Sequence, residues 1–162
     1  MRVLQIASLY PPKMLGGAEV SARNLSDLLA TAGHEVLVVR ASDGEEPEGE
    51  ECIAPRIRVA RLRTPHIYPV FRFYDATPMK KPLWHLQDHF DQRLRPAFGR
   101  ILDDFAPDLV NVHLLQGLGY PLLREVAKRR IPVNYVLPDL GLACFRMNMF
   151  KNGKDCAGHC AP

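Results

Sequence analysis

The chain has 162 residues, 47% hydrophobic and 24% charged, which excludes disordered, fibrous and disulfide-dense classes and fits one soluble domain burying roughly 68–70% of its unfolded surface. The formal net charge is +3, but Asp43, Glu45, Glu46, Glu48, Glu50 and Glu51 put six negative charges in one stretch and leave +9 elsewhere, a balance that suits an anionic ligand or an acidic membrane face. Without an apolar run of about 18 residues, a signal-peptide core in Met1–Ser8 or a nucleic-acid reader motif, the expected setting is cytoplasmic, at most with peripheral contact at the inner face of the membrane, and with no nucleic acid partner.

Val3 to Ala7 is a short apolar run ending in Ser8-Leu9-Tyr10-Pro11-Pro12, and helical periodicity begins after Gly16-Gly17, so a strand, a loop and a helix are predicted. In that helix Ala18, Ala22, Leu25, Leu28, Leu29 and Ala32 share one face, Arg23, Asn24, Ser26 and Asp27 lie opposite, and Gly33 supplies the stop. Glu35 to Val39 reads as a buried parallel strand. The acidic run, broken by Gly44, Pro47 and Gly49, reads most simply as a solvated loop, with a docking tail as the alternative. Arg56-Ile57-Arg58-Val59 and Arg61-Leu62-Arg63 alternate charge with apolar side chains, as a half-exposed edge strand does.

Thr64 to Pro82 mixes four prolines with His66, Tyr68, Phe71, Phe73 and Tyr74 and reads as a long irregular loop, of the kind that tends to be functional. From Leu83 to Phe105, Leu83, Leu86, Phe90, Leu94, Phe98, Ile101, Leu102 and Phe105 recur at helical spacing and read as core, with Pro96 dividing or bending the segment. Leu109 to His113 is another strand, Gly119 to Arg130 a helix and Pro132 to Leu137 a further strand. The alternation predicts a doubly wound, parallel, Rossmann-like α/β sheet of order close to 3-2-1-4-5 over residues 1–137. Residues 138–162 lack clear periodicity and read as a cysteine-containing segment, an unfinished subdomain.

In open α/β sheets ligands bind beyond the carboxyl ends of the strands, here the loops after Ala7, His113 and Leu137. The first ends in Gly16-Gly17-Ala18-Glu19 at a helix start, where unpaired N–H groups and the positive end of the helix dipole can hold a phosphate or carboxylate. Its spacing is neither Gly-x-Gly-x-x-Gly nor a P-loop, which argues against an ordinary dehydrogenase or nucleoside triphosphatase. Glu19 suits either helix stabilisation or a ligand, and His113 either a packed or a reactive position. Cys144, Cys156 and Cys160, with His159 beside the last, leave free thiols, a zinc site and a disulfide open.

Met1-Arg2-Val3-Leu4-Gln5-Ile6, Tyr10-Pro11-Pro12, Gly16-Gly17-Ala18-Glu19 and the stretch from Pro107 to Leu118 together resemble the amino-terminal domain of family 4 glycosyltransferases, and the likeness continues through Ile131-Pro132-Val133 to Asp139 and Cys144. The resemblance implies one half of a GT-B architecture, in which two Rossmann-like domains face each other across a cleft and the amino-terminal one mainly shapes the acceptor site. The expected partners are a nucleotide sugar, a sugar or lipid-linked acceptor, and a carboxy-terminal Rossmann-like domain; without that domain the segment is expected to be inactive. It implies no required cofactor, with structural zinc on the cysteines as an option. Gly16 and Gly17 match the glycine loop near the donor diphosphate, and Glu19 the acidic position after it. His113 and Asp139 match catalytic positions, and Arg146 a donor or acceptor contact. Pro138 and Phe145 stand where the family usually has histidine and proline. A noncatalytic Rossmann-like binding module with a cysteine-rich docking segment is the alternative.

Overall fold

The computed structural model describes residues 1–14, 16–42, 46–72, 75–137, 149–151 and 153–156. Five parallel strands carry the fold: β1 (Arg2–Ile6), β2 (Glu35–Ser42), β4 (Ile57–Arg63), β5 (Leu109–Val112) and β6 (Val133–Tyr135). A sixth, β3 (Gly49–Ala54), pairs antiparallel with β4, and the sheet order is β3-β4-β2-β1-β5-β6. The parallel part reproduces the expected 3-2-1-4-5 arrangement. Leu4, Ile6, Leu37, Val39, Val110 and Val112 belong to the main hydrophobic core. Val36, Val38, Ile57 and Val59 join Ala7, Tyr10 and Ala22 in a second, smaller cluster. Such two-sided burial explains the near-continuous apolar runs of β1 and β2.

The end of the acidic stretch, with two of its six carboxylates, is strand and not loop. β3 places Glu50 and Glu51 beside the arginines of β4, giving the pairs Arg58–Glu50 and Arg61–Glu51. Glu48 accepts the Arg63 N–H at 3.0 Å, and Glu46 pairs with the buried Arg40 at 2.6 Å. Opposite charges alternating on two neighbouring strands zip them together. β4 is consequently interior, with Ile57, Val59, Ala60 and Leu62 buried, and β3 takes the edge.

α1 (Gly17–Thr31) is rotated from the expected face. Glu19, Ala22 and Ser26 are buried while Leu28 is 67% and Val20 46% exposed. The cause lies on the sheet: β1 presents Gln5 to this helix, and Ser26 turns inward to bond it, which swings Leu25 and Leu28 outward.

The expected core stripe of 83–105 is also half wrong. The segment divides into α2 (Lys81–Phe90) and α3 (Arg95–Phe105), with Pro96 in the first turn of the second helix, where its missing N–H costs nothing. Leu94, Phe98, Leu102 and Phe105 are core, but Leu83, Leu86 and Phe90 are 50%, 56% and 69% exposed. α2 turns Trp84 and Asp88 inward instead. Trp84 carries the largest apolar surface of the helix and donates its Nε1–H to the Tyr68 carbonyl at 2.9 Å. Asp88 accepts the Gly117 N–H at 2.8 Å and lies 3.2 Å from His66 Nε2, both side chains being 2% exposed. This cluster ties the Thr64–Pro82 segment to the loop after β5. Gly117 is needed there: its φ is +86° and an added Cβ would sit 2.6 Å from the Val70 Cβ.

The last helix is shorter than expected: a 3-10 turn at Tyr120–Leu122 leads into α4 (Leu123–Lys128). Its Glu125 gathers Arg95, Lys128 and Arg129, and Arg129 also grips Asp103 of α3. In the remaining described segment, β7 (Phe150–Lys151) pairs antiparallel with β8 (Lys154–Asp155).

Candidate functional site

A cavity of about 440 Å3 opens at the carboxyl edge of the sheet, between α1 and the ends of β5 and β6. Gly17, Val20, Ser21, Asn24, Leu25, Leu28, His113 and Val136 line it. Two residues singled out from sequence, Gly17 and His113, thus share one wall system although 96 positions apart in the chain. A second cavity, of about 410 Å3 between α3 and α4, is lined by Arg95, Arg100 and Arg129, of which Glu125 and Asp103 already pair Arg95 and Arg129.

The glycine pair opens α1. Gly16 is extended (φ −163°, ψ −162°), a conformation open to any residue, and an added Cβ at Gly17 would meet nothing within 4 Å. Neither glycine is demanded by the turn. Gly17 lines the cavity at the helix start, where first-turn N–H groups have no partner within the helix. Glu19 is 5% exposed and its Oε2 accepts the Gly16 N–H at 2.8 Å. The structure therefore gives Glu19 a capping role at the helix start.

His113 follows β5 and is 1% exposed. A chain of hydrogen bonds fixes its ring. Ser26 Oγ–H donates to the Ala22 carbonyl at 2.9 Å, so its lone pair accepts from Gln5 Nε2 at 2.9 Å. That turns Gln5 Oε1 toward His113 Nε2, 2.8 Å away. From the far side Asn134 Nδ2 donates to Asn111 Oδ1 at 2.6 Å, leaving the Asn111 amide nitrogen 3.3 Å from the same Nε2. Gln5 Oε1 can only accept and the Asn111 amide nitrogen can only donate; the Gln5 contact, shorter by 0.5 Å, assigns the proton to Nε2. Burial pushes the His113 pKa down, so the ring is neutral at pH 7 and Nδ1 holds a bare lone pair. Nδ1 is buried without a hydrogen-bond partner among the described residues. A buried acceptor beside a cavity is poised to take a proton or a hydrogen bond from whatever enters.

Sequence reading did not single out Gln5, Ser26, Asn111 and Asn134. Their signal was present: three polar residues at matched register, Gln5↔Asn111 and Asn111↔Asn134, on strands that otherwise read apolar. Asp139, Arg146, Cys144 and Cys160 lie outside the described residues. Cys156 is half-buried and its N–H donates to the Met149 carbonyl at 2.7 Å. Among the described residues no three His, Cys, Asp or Glu side chains converge to hold a metal ion, and no helix is long and apolar enough to cross a membrane.

Comparisons with known proteins bear on the family and the fold. An uncharacterized 42.6 kDa protein in the cps region of Klebsiella pneumoniae is 28% identical over 155 residues, covering 96% of this chain and 41% of the relative. Sucrose-phosphate synthase from Thermosynechococcus elongatus superposes with a TM-score of 0.53 at 17% identity, over 83% of this chain and 31% of that one. That likeness is one of fold: a mostly parallel six-stranded sheet resembling the amino-terminal Rossmann-like half of a GT-B enzyme. The chain spans less than half the length of either protein. Residues 15–137 match Glycosyltransferase Family 4, a stretch that contains the glycine pair, α1, all of β2 to β6 and His113. The chain belongs to glycosyltransferase family 4.

Proposed function

We propose that this chain is the acceptor-side half of a glycosyltransferase that moves a sugar from a nucleotide-sugar donor to a polysaccharide or glycolipid acceptor, in capsule assembly. The observation that carries this reading is the cavity shared by the α1 start and His113. In transfer, the bond from the anomeric carbon to the diphosphate breaks, a bond to the acceptor oxygen forms, and the acceptor hydroxyl loses its proton. The N–H groups at the first turn of α1, from Gly17 on, are suited to the negative charge growing on the departing diphosphate. The neutral His113 Nδ1 is suited to accept a hydrogen bond or the proton from a sugar hydroxyl. The capsule setting is inferred from the cps-region relative.

One wall of a cleft gives little differential binding of the transition state, so residues 1–162 alone are expected not to turn over. The test is release of nucleoside diphosphate by the full-length protein, given a panel of nucleotide sugars with lipid-linked sugar acceptors. Acceptor-dependent release with one donor, and none from residues 1–162 alone, is expected. Failure of every donor to bind or react would favour a noncatalytic module, and transfer by residues 1–162 alone would refute the half-site argument.

A further inference from the structure

The cavity of about 410 Å3 between α3 and α4 holds more positive charge than its own carboxylates answer. Arg95 and Arg100 reach it from α3, and Lys128 and Arg129 from the end of α4, against Asp103 and Glu125. Four cations and two carboxylates leave a surplus of two positive charges on one concave surface. These helices pack with Leu37 and Val39 in the main core, while Ala22 of α1 packs with Val36 and Val38. Because successive strand residues point to opposite sides, this cavity and that of Gly17 and His113 lie on opposite faces of the sheet.

The hydrogen bonds show which donors are left over. Arg129 spends its whole guanidinium fork, Nε and Nη2 on Asp103, Nη1 on Glu125, and Nη2 again on the Gly99 carbonyl. Gly99 admits that fit, since an added Cβ would stand 3.1 Å from Arg129 Nη2. Arg95 gives Nε–H and one Nη2–H to Glu125 and one Nη1–H to Gln92, which leaves an N–H on each Nη. Lys128, 61% exposed, gives one N–H to Glu125 at 3.2 Å and keeps the others. Arg100 has no partner among the described residues. Glu125 Oε1 already accepts from Arg95 Nε, Arg95 Nη2 and Lys128 Nζ, so the spare donors have no further carboxylate in the cavity to bind. A phosphate answers both the charge and the donors: it carries about −1.5 to −2 at pH 7 on three acceptor oxygens, whereas a carboxylate neutralises only one of the two charges. The volume falls in the roughly 300–1,000 Å3 range of small-molecule sites.

We propose that the groove between α3 and α4 binds a soluble phosphate dianion, free or as the end of a small phosphomonoester, held by Arg95, Arg100 and Lys128. The proposal does not depend on transfer activity. Calorimetric titration of the full-length protein at pH 8 with inorganic phosphate and with ribose 5-phosphate should show saturable binding that sulfate displaces and acetate, at equal ionic strength, does not. Tighter binding of ribose 5-phosphate assigns the monoester, and equal or weaker binding the free ion. Arg100→Gln should weaken binding about tenfold or more, and Arg100→Gln with Lys128→Gln about a hundredfold, since each removes a charged donor. Both variants should keep the wild-type Tm, because Arg100 and Lys128 are exposed; if the double variant does not, Arg100→Gln alone carries the test. Gly17→Val, altered at the start of α1, should bind phosphate in this groove as the wild type does. Binding lost in Gly17→Val and kept in Arg100→Gln/Lys128→Gln would overturn the proposal. So would the absence of saturable binding, or acetate competing as well as sulfate.

Discussion

Gly17→Val in the full-length enzyme separates a ligand role for the glycine pair from a structural one. An added Cβ meets nothing within 4 Å, and Gly17 is not among the residues with positive φ. The stability change should therefore stay within about 0.5 kcal/mol, as for other surface substitutions, or about 2 °C in Tm. The cavity of about 440 Å3 that Gly17 lines is where the branched side chain must go, over the first-turn N–H groups. Losing an oxyanion-type donor costs about 2.7–4 kcal/mol, so kcat should fall by roughly 10²–10³. Initial rates of nucleoside diphosphate release, with calorimetry on the same sample, measure both quantities. An unchanged Tm with near-wild-type turnover would refute the assignment, and the glycines would then be only a helix start.

Gln5→Leu removes the acceptor of His113 Nε2–H and the donor to Ser26; leaving these buried groups unpaired should cost about 1–3 kcal/mol in chemical denaturation and erase the Nε2–H tautomer signature of His113 in nitrogen-15 NMR. Gly117→Ala forces φ +86° on a residue with a Cβ and drives that Cβ into Val70, so a loss of about 2–4 kcal/mol is expected, partly relieved by adding Val70→Ala. The Arg129 guanidinium, with Arg95 and Lys128, pulls the Glu125 pKa from 4.5 to about 2. Because the folded value lies below the ordinary one, this contribution to stability is present above about pH 4.5 and is lost as pH falls through 2; Glu125→Gln should flatten that part of the stability profile measured by denaturation.

Sheet order was legible because apolar runs and short crossovers admit few parallel arrangements, and the glycine pair and His113 were legible because the ligand edge of such a sheet is known in advance. Periodicity failed where polar residues chose the buried face. Leu83, Leu86 and Phe90 have core spacing, but Asp88 is the residue with buried partners, a backbone N–H and an imidazole from distant loops that no local pattern reveals. Ser26 likewise faces inward because Gln5 stands opposite it. The acidic stretch hid β3 because its pairing is read from charges on β4, and glutamates on an isolated segment read as solvated.

The most direct test of the proposed site is a crystal structure of the full-length protein with the nucleoside diphosphate that the transfer assay selects. The diphosphate should lie within about 2.7–3.2 Å of the Gly17 N–H, with His113 Nδ1 facing the space where the sugars meet. A diphosphate bound away from the start of α1, with the cavity of Gly17 and His113 left to solvent, would contradict the account.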